Sequence, residues 1–137
     1  MGMFESAEEF GKMLVGFFEE VAKNEEIASK LLASKLTIRF KYFDPDVCIY
    51  IDLTGDEVKV KLNDYDSPAI VEMEMNADIA HKFWFGKVNL MMALTRGQMK
   101  AKGPVPKILK LLPVIKPTYA MYPKYLKEHG YEKYIIY

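Results

Sequence analysis

Apolar residues near the start of the chain recur every three or four positions, which is the period of an amphipathic helix. These residues are Phe10, Met13, Leu14, Phe17, Phe18 and Val21. Ser6 and Glu9 have the spacing of a capping box, and Asn24 can cap a second, shorter helical pattern. The pattern therefore predicts two helices within residues 6–34.

From Leu36 onward the period changes to two, which is typical of β-strands. Four alternating runs follow, at residues 36–42, 47–53, 58–62 and 71–75. Turns rich in Asp, Pro and Gly and one longer connection join the four runs, so we expect an antiparallel meander of four strands. One face of the runs is apolar and the other is charged, which predicts that helices cover one side of the sheet.

Helical and strand-like patterns alternate again in the second half of the chain. Asn76 can cap a helix that runs to Trp84, and Asn89 can cap a shorter one that ends before Gly97. Residues 98–102 alternate and predict a fifth strand. A short helical pattern follows, after which three prolines are expected to break the chain into short pieces.

These elements together predict one α+β domain over residues 1–137, with a mainly antiparallel five-stranded sheet and helices covering one face. Its predicted parts are N-terminal helices at 6–34, the sheet with its helices at 36–112, and a Pro- and Tyr-rich C-terminal segment at 113–137.

Composition narrows the choice of function. Half of the 137 residues are hydrophobic and 28% are charged, which is a globular balance. Lys plus Arg and Asp plus Glu stand at 19 each, so net charge gives no reason to expect a nucleic-acid partner. A single cysteine, no secretion signal and no long apolar run predict a cytoplasmic protein with at most peripheral membrane contact.

The residues capable of catalysis do not form a recognisable constellation. His81 and His129 are isolated, and we expect them at the surface or at helix ends. Glu72 and Glu74 share one strand face, where we expect them to face solvent and lysines of a neighbouring strand. Cys48 is expected to be an unreactive thiol. The sequence predicts no catalytic residue, no metal site and no cofactor.

Large, deformable apolar side chains are more abundant than a small sheet needs, with nine Met and nine Tyr. Such an excess with few polar groups is typical of a pocket for an apolar ligand. The predicted ligand-binding residues are Phe83, Trp84, Met91, Met92, Leu94, Ile108, Leu111 and Leu112. Candidate contacts for an anionic head group are Lys87, Arg96, Lys100 and Lys102.

The segment 85–103 resembles the conserved block of the sterol carrier protein 2 (SCP2-like) family of lipid-binding domains. It contains Gly86-Lys87, a short helix with Met91-Met92-Ala93, Arg96-Gly97, a Lys-rich strand and a closing Gly103. The resemblance extends over roughly residues 30–112. It implies an apolar cavity between sheet and helices, and non-catalytic binding or transfer of a fatty acid, an acyl-CoA or a sterol-like molecule.

Two other functions are compatible with the residues alone. The protein could be an interaction or homodimerisation module without a small ligand, with the Tyr-rich tail as its contact surface. It could also be an enzyme that uses Glu72, Glu74 or His81, although these lack the partners that such chemistry requires.

Overall fold

A computed structural model describes residues 2–136 of the chain. A 3₁₀ turn at Glu132–Tyr134 follows the last helix. The preceding elements are α1 (Ala7–Ala22), α2 (Glu25–Ala33), β1 (Thr37–Phe43), β2 (Val47–Asp52), β3 (Lys59–Leu62), β4 (Val71–Asn76), α3 (Ala77–Trp84), α4 (Leu90–Thr95), β5 (Met99–Lys102), α5 (Val105–Leu109), α6 (Leu112–Ile115) and α7 (Thr118–Glu128).

The first four helices begin where the polar capping residues predict. The side-chain oxygens of Ser6, Asn24, Asn76 and Asn89 each accept a hydrogen bond from the backbone N–H three residues later, at 2.8–3.1 Å. Each bond satisfies an N–H that the helix itself cannot pair. These four helix starts are therefore determined by local sequence.

The five strands form one mixed sheet in the order β3-β2-β1-β4-β5. Three of its four pairings are antiparallel, namely β1 with β2, β2 with β3, and β4 with β5. The fourth, between β1 and β4, is parallel. The prediction of a mainly antiparallel five-stranded α+β fold is therefore confirmed.

The expected meander is right for β1 to β3 and wrong for β4. The connection from β3 passes β2 and β1, and β4 then pairs with the free edge of β1, so that Ile38 aligns with Val71 and Phe40 with Met73. The apolar side of β4 is buried along its whole length, whereas the residues of β3 are exposed or half-buried. Pairing with β1 thus places the two strands with matching apolar faces in the middle of the sheet.

Helices cover the apolar face of the sheet, as predicted. The stripe of α1 is fully buried at Phe10, Met13, Leu14 and Phe17, and it packs on β2 and β3. The last helix, α7, packs against α1 and α3. Contrary to the expected short pieces, α7 continues through Pro123, because the burial of Tyr122, Tyr125 and Leu126 offsets the one lost backbone bond.

The opposite face of the sheet is less open than expected, because the connection at residues 63–70 lies over part of it. Arg39 is only 6% exposed, forms a 2.8 Å ion pair with Glu72 and donates from Nε to the carbonyl of Asp64. The Tyr50 hydroxyl donates to the carbonyl of Pro68. Cys48 is buried in the same layer, and burial raises the pKa of its thiol, which is consistent with an unreactive cysteine.

Candidate functional site

An apolar pocket of about 110 Å³ lies between the inner face of the sheet and the helices. Its sheet side is formed by Ile38, Phe40, Tyr42, Ile51, Met73 and Met75. Its helical side is formed by residues of all seven helices. The lining side chains from residue 80 onward are Ala80, Phe83, Trp84, Leu90, Met99, Ile108, Leu111, Leu112, Ile115 and Thr118.

The pocket wall offers almost no hydrogen-bonding group to a guest. Among its lining side chains only Tyr42, Trp84 and Thr118 carry a nitrogen or oxygen atom. The Thr118 hydroxyl donates to the backbone carbonyl of Ile115 at 2.5 Å, so its proton is already used. A charged or strongly polar group would lose its hydration here without replacement. The wall therefore suits a hydrocarbon rather than a polar substrate.

Six lining side chains of the pocket are half-buried, and the others, such as Ala80 and Met75, are buried. The six are Leu31 of α2, Phe40 and Ile51 of the sheet, Val58 of the connection from β2 to β3, and Leu112 and Ile115 of α6. Of these elements α6 is the shortest helix, with four residues and Pro113 inside its first turn.

Five of the eight residues proposed from the sequence lie on the pocket wall, and whether they bind a ligand stays a prediction. They are Phe83, Trp84, Ile108, Leu111 and Leu112. Met91 and Met92 instead lie at the surface, 54% and 46% exposed, and Leu94 packs on the core outside the pocket. The reason is that α4 has six residues and buries only Leu90 and Ala93.

Sequence reasoning missed Leu90, Met99 and the inner-face residues of the strands. Period-two alternation had already assigned Ile38, Phe40 and Met73 to the apolar face. Any cavity between the helices and the sheet must be lined by that apolar face. The alternation was therefore sufficient to predict these three residues as part of the pocket wall.

The four cations considered for head-group contact are all exposed. Lys100 and Lys102 of β5 are aligned with Glu74 and Glu72 of β4, on the sheet face opposite the pocket. Lys87 and Arg96 flank the exposed side of α4. None of these positions reaches the interior, so any contact with a polar head group would be made at the protein surface.

His81 lies in the last turn of α3, which agrees with the helix-terminal alternative of the prediction, but its side chain is fully buried and not at the surface. Its Nε2 lies 2.6 Å from the carbonyl oxygen of Tyr134, and its Nδ1 lies 2.8 Å from the hydroxyl of Tyr122. A carbonyl only accepts, so Nε2 carries the proton and the Tyr122 hydroxyl donates to Nδ1. The Tyr134 hydroxyl in turn donates to the Glu9 carboxylate of α1. This arrangement of His81, Tyr122, Tyr134 and Glu9, here called the C-terminal clasp, ties α3, α7 and the last residues to α1.

Because His81 of the clasp is buried, we expect the folded protein to lose stability in mild acid. Burial lowers the pKa of His81 below its usual value. Below about pH 6.5 the unfolded chain therefore binds a proton at His81 that the folded protein does not bind. The free energy of unfolding thus decreases as the pH is lowered through this range. Urea unfolding at pH 7.5 and 5.5 should show this loss in the wild type and a smaller one in His81→Gln, whereas His129→Gln should follow the wild type. Equal losses in all three proteins would rule out His81 as the source.

Within residues 2–136, no group of three or more His, Cys, Asp or Glu side chains gathers at a position that could hold a metal ion. No helix of this part of the chain has both the length and the apolar character that crossing a bilayer requires.

Comparisons with known proteins agree with the fold. Comparison with curated protein sequences gives no match. The apo form of sterol carrier protein 2 from Yarrowia lipolytica is 16% identical with a TM-score of 0.65, over 87% of this chain and 98% of that chain. Sterol carrier protein domain 2 of Helicoverpa armigera is 19% identical with the same TM-score, over 87% and 94%. A stereoselective inverting sec-alkylsulfatase from a Pseudomonas species matches 64% of this chain but only 14% of its own, with 16% identity and a TM-score of 0.57.

These structural similarities, at less than one fifth identity, establish the fold. The family assignment comes from the sequence, because the model of the SCP-2 sterol transfer family matches residues 18–116. The match includes the whole sheet, α2 to α6 and most of the pocket wall. Since it spans well over half of the 137 residues, the protein belongs to the SCP-2 sterol transfer family.

Proposed function

We propose that the protein reversibly binds a lipid or another long-chain apolar molecule in the pocket between sheet and helices, without transforming it. Membership of the SCP-2 sterol transfer family supports lipid binding or transfer in general. The observation that carries the proposal for this chain is the chemistry of the wall, where apolar side chains surround the space and the Thr118 hydroxyl is already bonded. A wall without catalytic groups favours a carrier over an enzyme.

The pocket must widen to hold a whole lipid. Its volume of about 110 Å³ is smaller than a cavity of about 150 Å³ that accommodates benzene. The most easily displaced parts of its wall are α5 and α6, since they have five and four residues and each contains a proline. A fatty acid, an acyl-CoA or a sterol-like molecule would place its hydrocarbon part inside and its polar group outside.

The expected affinity is modest. Burial of a dozen methylene groups contributes about 10 kcal/mol at ~0.8 kcal/mol each. Association costs on the order of 4–15 kcal/mol, and opening the pocket adds to that cost. At most about 6 kcal/mol remains, so for apolar contacts alone we expect weak binding, with dissociation constants of tens of micromolar or higher, which suits reversible carriage.

The alternative of an interaction module has less support, because the Tyr-rich tail is turned inward. Tyr122 and Tyr125 are buried in the core, and Tyr119, Tyr131 and Tyr134 pack against it. Tyr137 lies outside the described residues. Because these tyrosine side chains are packed in or against the core, few of them remain at the surface to contact a partner protein.

Organic extraction of the purified protein, followed by mass spectrometry, tests the proposal directly. We expect a copurifying lipid, or, for protein stripped of lipid, saturable binding of a fluorescent fatty acid that unlabelled fatty acid displaces. Native mass spectrometry measures the oligomeric state in the same samples. A ligand-free homodimer that takes up no fatty acid would contradict carriage and support the interaction module.

A further inference from the structure

One hydroxyl group of the pocket wall has no hydrogen bond within the protein. The hydroxyls of Tyr50, Tyr122 and Tyr134 bond to a backbone carbonyl, an imidazole and a carboxylate, respectively. The hydroxyl of Tyr42 has no such partner among residues 2–136, although its side chain is only 4% exposed. Buried hydroxyls are nearly always hydrogen-bonded, because an unpaired one loses its hydration without replacement. The exception at Tyr42 therefore indicates that its partner comes from outside the chain.

The unbonded oxygen borders the pocket. Within residues 2–136, no side-chain nitrogen or oxygen is both closed off from any water-sized space and without a hydrogen bond. The oxygen of Tyr42 must therefore touch open space, and the pocket is the space that this buried side chain lines. Its ring packs edge-on against Phe10 at 5.3 Å and stacks on Phe40 at 6.1 Å. Packing on two sides thus holds the hydroxyl in place at the pocket wall.

Tyr42 lies at one end of the pocket, among buried residues. Ile38 is the first pocket residue of β1 and is aligned with Ile51, which is half-buried. Tyr42 follows four residues later, about 13 Å further along the strand. There it is aligned with Val47 and Met75, both of which are buried. A guest extended along β1 would therefore have one end at this hydroxyl.

The chemistry of the wall determines which group of a guest could bond to Tyr42. Burial raises the pKa of Tyr42 well above its usual value, so the hydroxyl keeps its proton and can donate it. Thr118 already donates to the carbonyl of Ile115, and the indole of Trp84 is a donor only. No Lys, Arg or His lines the pocket, so a carboxylate or phosphate would be buried without a counter-ion. A neutral carbonyl or hydroxyl oxygen accepts the same bond at a much smaller cost in hydration.

We propose that the guest carries a neutral oxygen at its buried end, and that this oxygen accepts a hydrogen bond from Tyr42. The ligand class is then a hydrocarbon chain that ends inside the pocket in a carbonyl or hydroxyl group, in preference to a plain acyl tail. This inference rests on the function proposed above, because it names the ligand class of the same pocket. Tyr42 acts as the residue that determines specificity, since hydrocarbon alone gains nothing from its hydroxyl.

Two fatty acids that differ only at the inner end test the proposal. One is dodecanoic acid, and the other is its ketone with a carbonyl group on the carbon next to the terminal methyl. Trp84 is the only tryptophan of the chain and lines the pocket, so its fluorescence reports the binding of unlabelled acids. Tyr42→Phe should bind the ketone roughly tenfold more weakly than the wild type and dodecanoic acid within about twofold. Each acid is compared between two proteins, so that its own hydration cancels.

The thermal stability of the lipid-free protein gives a second, independent measurement. Tyr42→Phe should keep or raise Tm, because it removes a buried hydroxyl that the protein leaves unbonded. The matched control is Tyr50→Phe, which removes the same atom on the opposite face of the sheet. There the hydroxyl donates to the carbonyl of Pro68 at 2.8 Å. This control should lower Tm by a few degrees and bind both acids as the wild type does.

Two outcomes would overturn the role of Tyr42 alone, while dodecanoic acid still binds to the wild type. One is an equal effect of Tyr42→Phe on both acids, which would show that the hydroxyl does not recognise the ketone oxygen. The other is a loss of Tm in lipid-free Tyr42→Phe as large as that in Tyr50→Phe, which would show that the hydroxyl is already bonded within the protein. Failure of the wild type to bind either acid would instead refute the carrier function, and this inference with it.

Discussion

Ile108→Trp is expected to abolish uptake of an acyl chain while the protein stays folded. Ile108 lies on α5 with its side chain on the pocket wall, and the larger indole would occupy much of the 110 Å³ now empty. Overpacking a core costs about 1–3 kcal/mol, but filling an existing void offsets part of that cost. We therefore expect at least tenfold weaker binding of a fluorescent fatty acid and a small change in Tm.

Two control variants make the Ile108 experiment specific. Leu109→Trp introduces the same side chain one position later, at a half-buried residue that packs on the core outside the pocket. Met92→Glu places a charge at a residue that the sequence assigned to the pocket and the structure places at the surface. Both variants should bind fatty acid as the wild type does. Wild-type binding by folded Ile108→Trp would show that the cargo lies elsewhere.

The parts of the fold that sequence predicts well depend on neighbouring residues. A capping side chain and the N–H that it satisfies are three residues apart, so Ser6, Asn24, Asn76 and Asn89 identify helix starts without any tertiary information. Alternation likewise shows which face of each strand is apolar. It cannot say which strand lies beside which, and the parallel pairing of β4 with β1 was missed for that reason.

For two of the five pocket-lining residues that the sequence proposed, the helical pattern is long enough to determine orientation. Phe83 and Trp84 belong to an eight-residue helix with a clear apolar stripe, and both line the pocket. Met91 and Met92 belong to a helix of under two turns, in which almost any apolar residue can be read as inward-facing. The net charge of zero was also uninformative, because it averages an acidic segment at residues 1–78 with a basic segment at residues 79–127.

His81 depends on contacts that no local pattern contains. Its two hydrogen-bond partners, Tyr122 and Tyr134, lie 41 and 53 residues further along the chain. Both lie beyond the family match at residues 18–116. A histidine beside Asp78 on a helix therefore gives the same sequence signal whether it is exposed or fully buried.

His81→Ala should cause the largest loss of stability among these predictions, about 3–4 kcal/mol in the free energy of unfolding. The substitution removes both hydrogen bonds, leaves the Tyr122 hydroxyl and the Tyr134 carbonyl without partners, and opens a cavity among aromatic rings. Phe4, Phe85 and Tyr122 all pack edge-on against the imidazole. Urea unfolding at pH 7.5 measures the loss.

Release of the clasp should also be visible locally. Amide hydrogen exchange of residues 131–136 should accelerate more in His81→Ala than that of β1, because the Tyr134 carbonyl loses its anchor while the sheet keeps its ladder. The control is His129→Ala at the exposed C-cap of α7, which should change stability by less than about 0.5 kcal/mol. If His81→Ala were as stable as that control, the buried hydrogen bonds of His81 would contribute nothing to holding α7 and the C-terminal residues against α1.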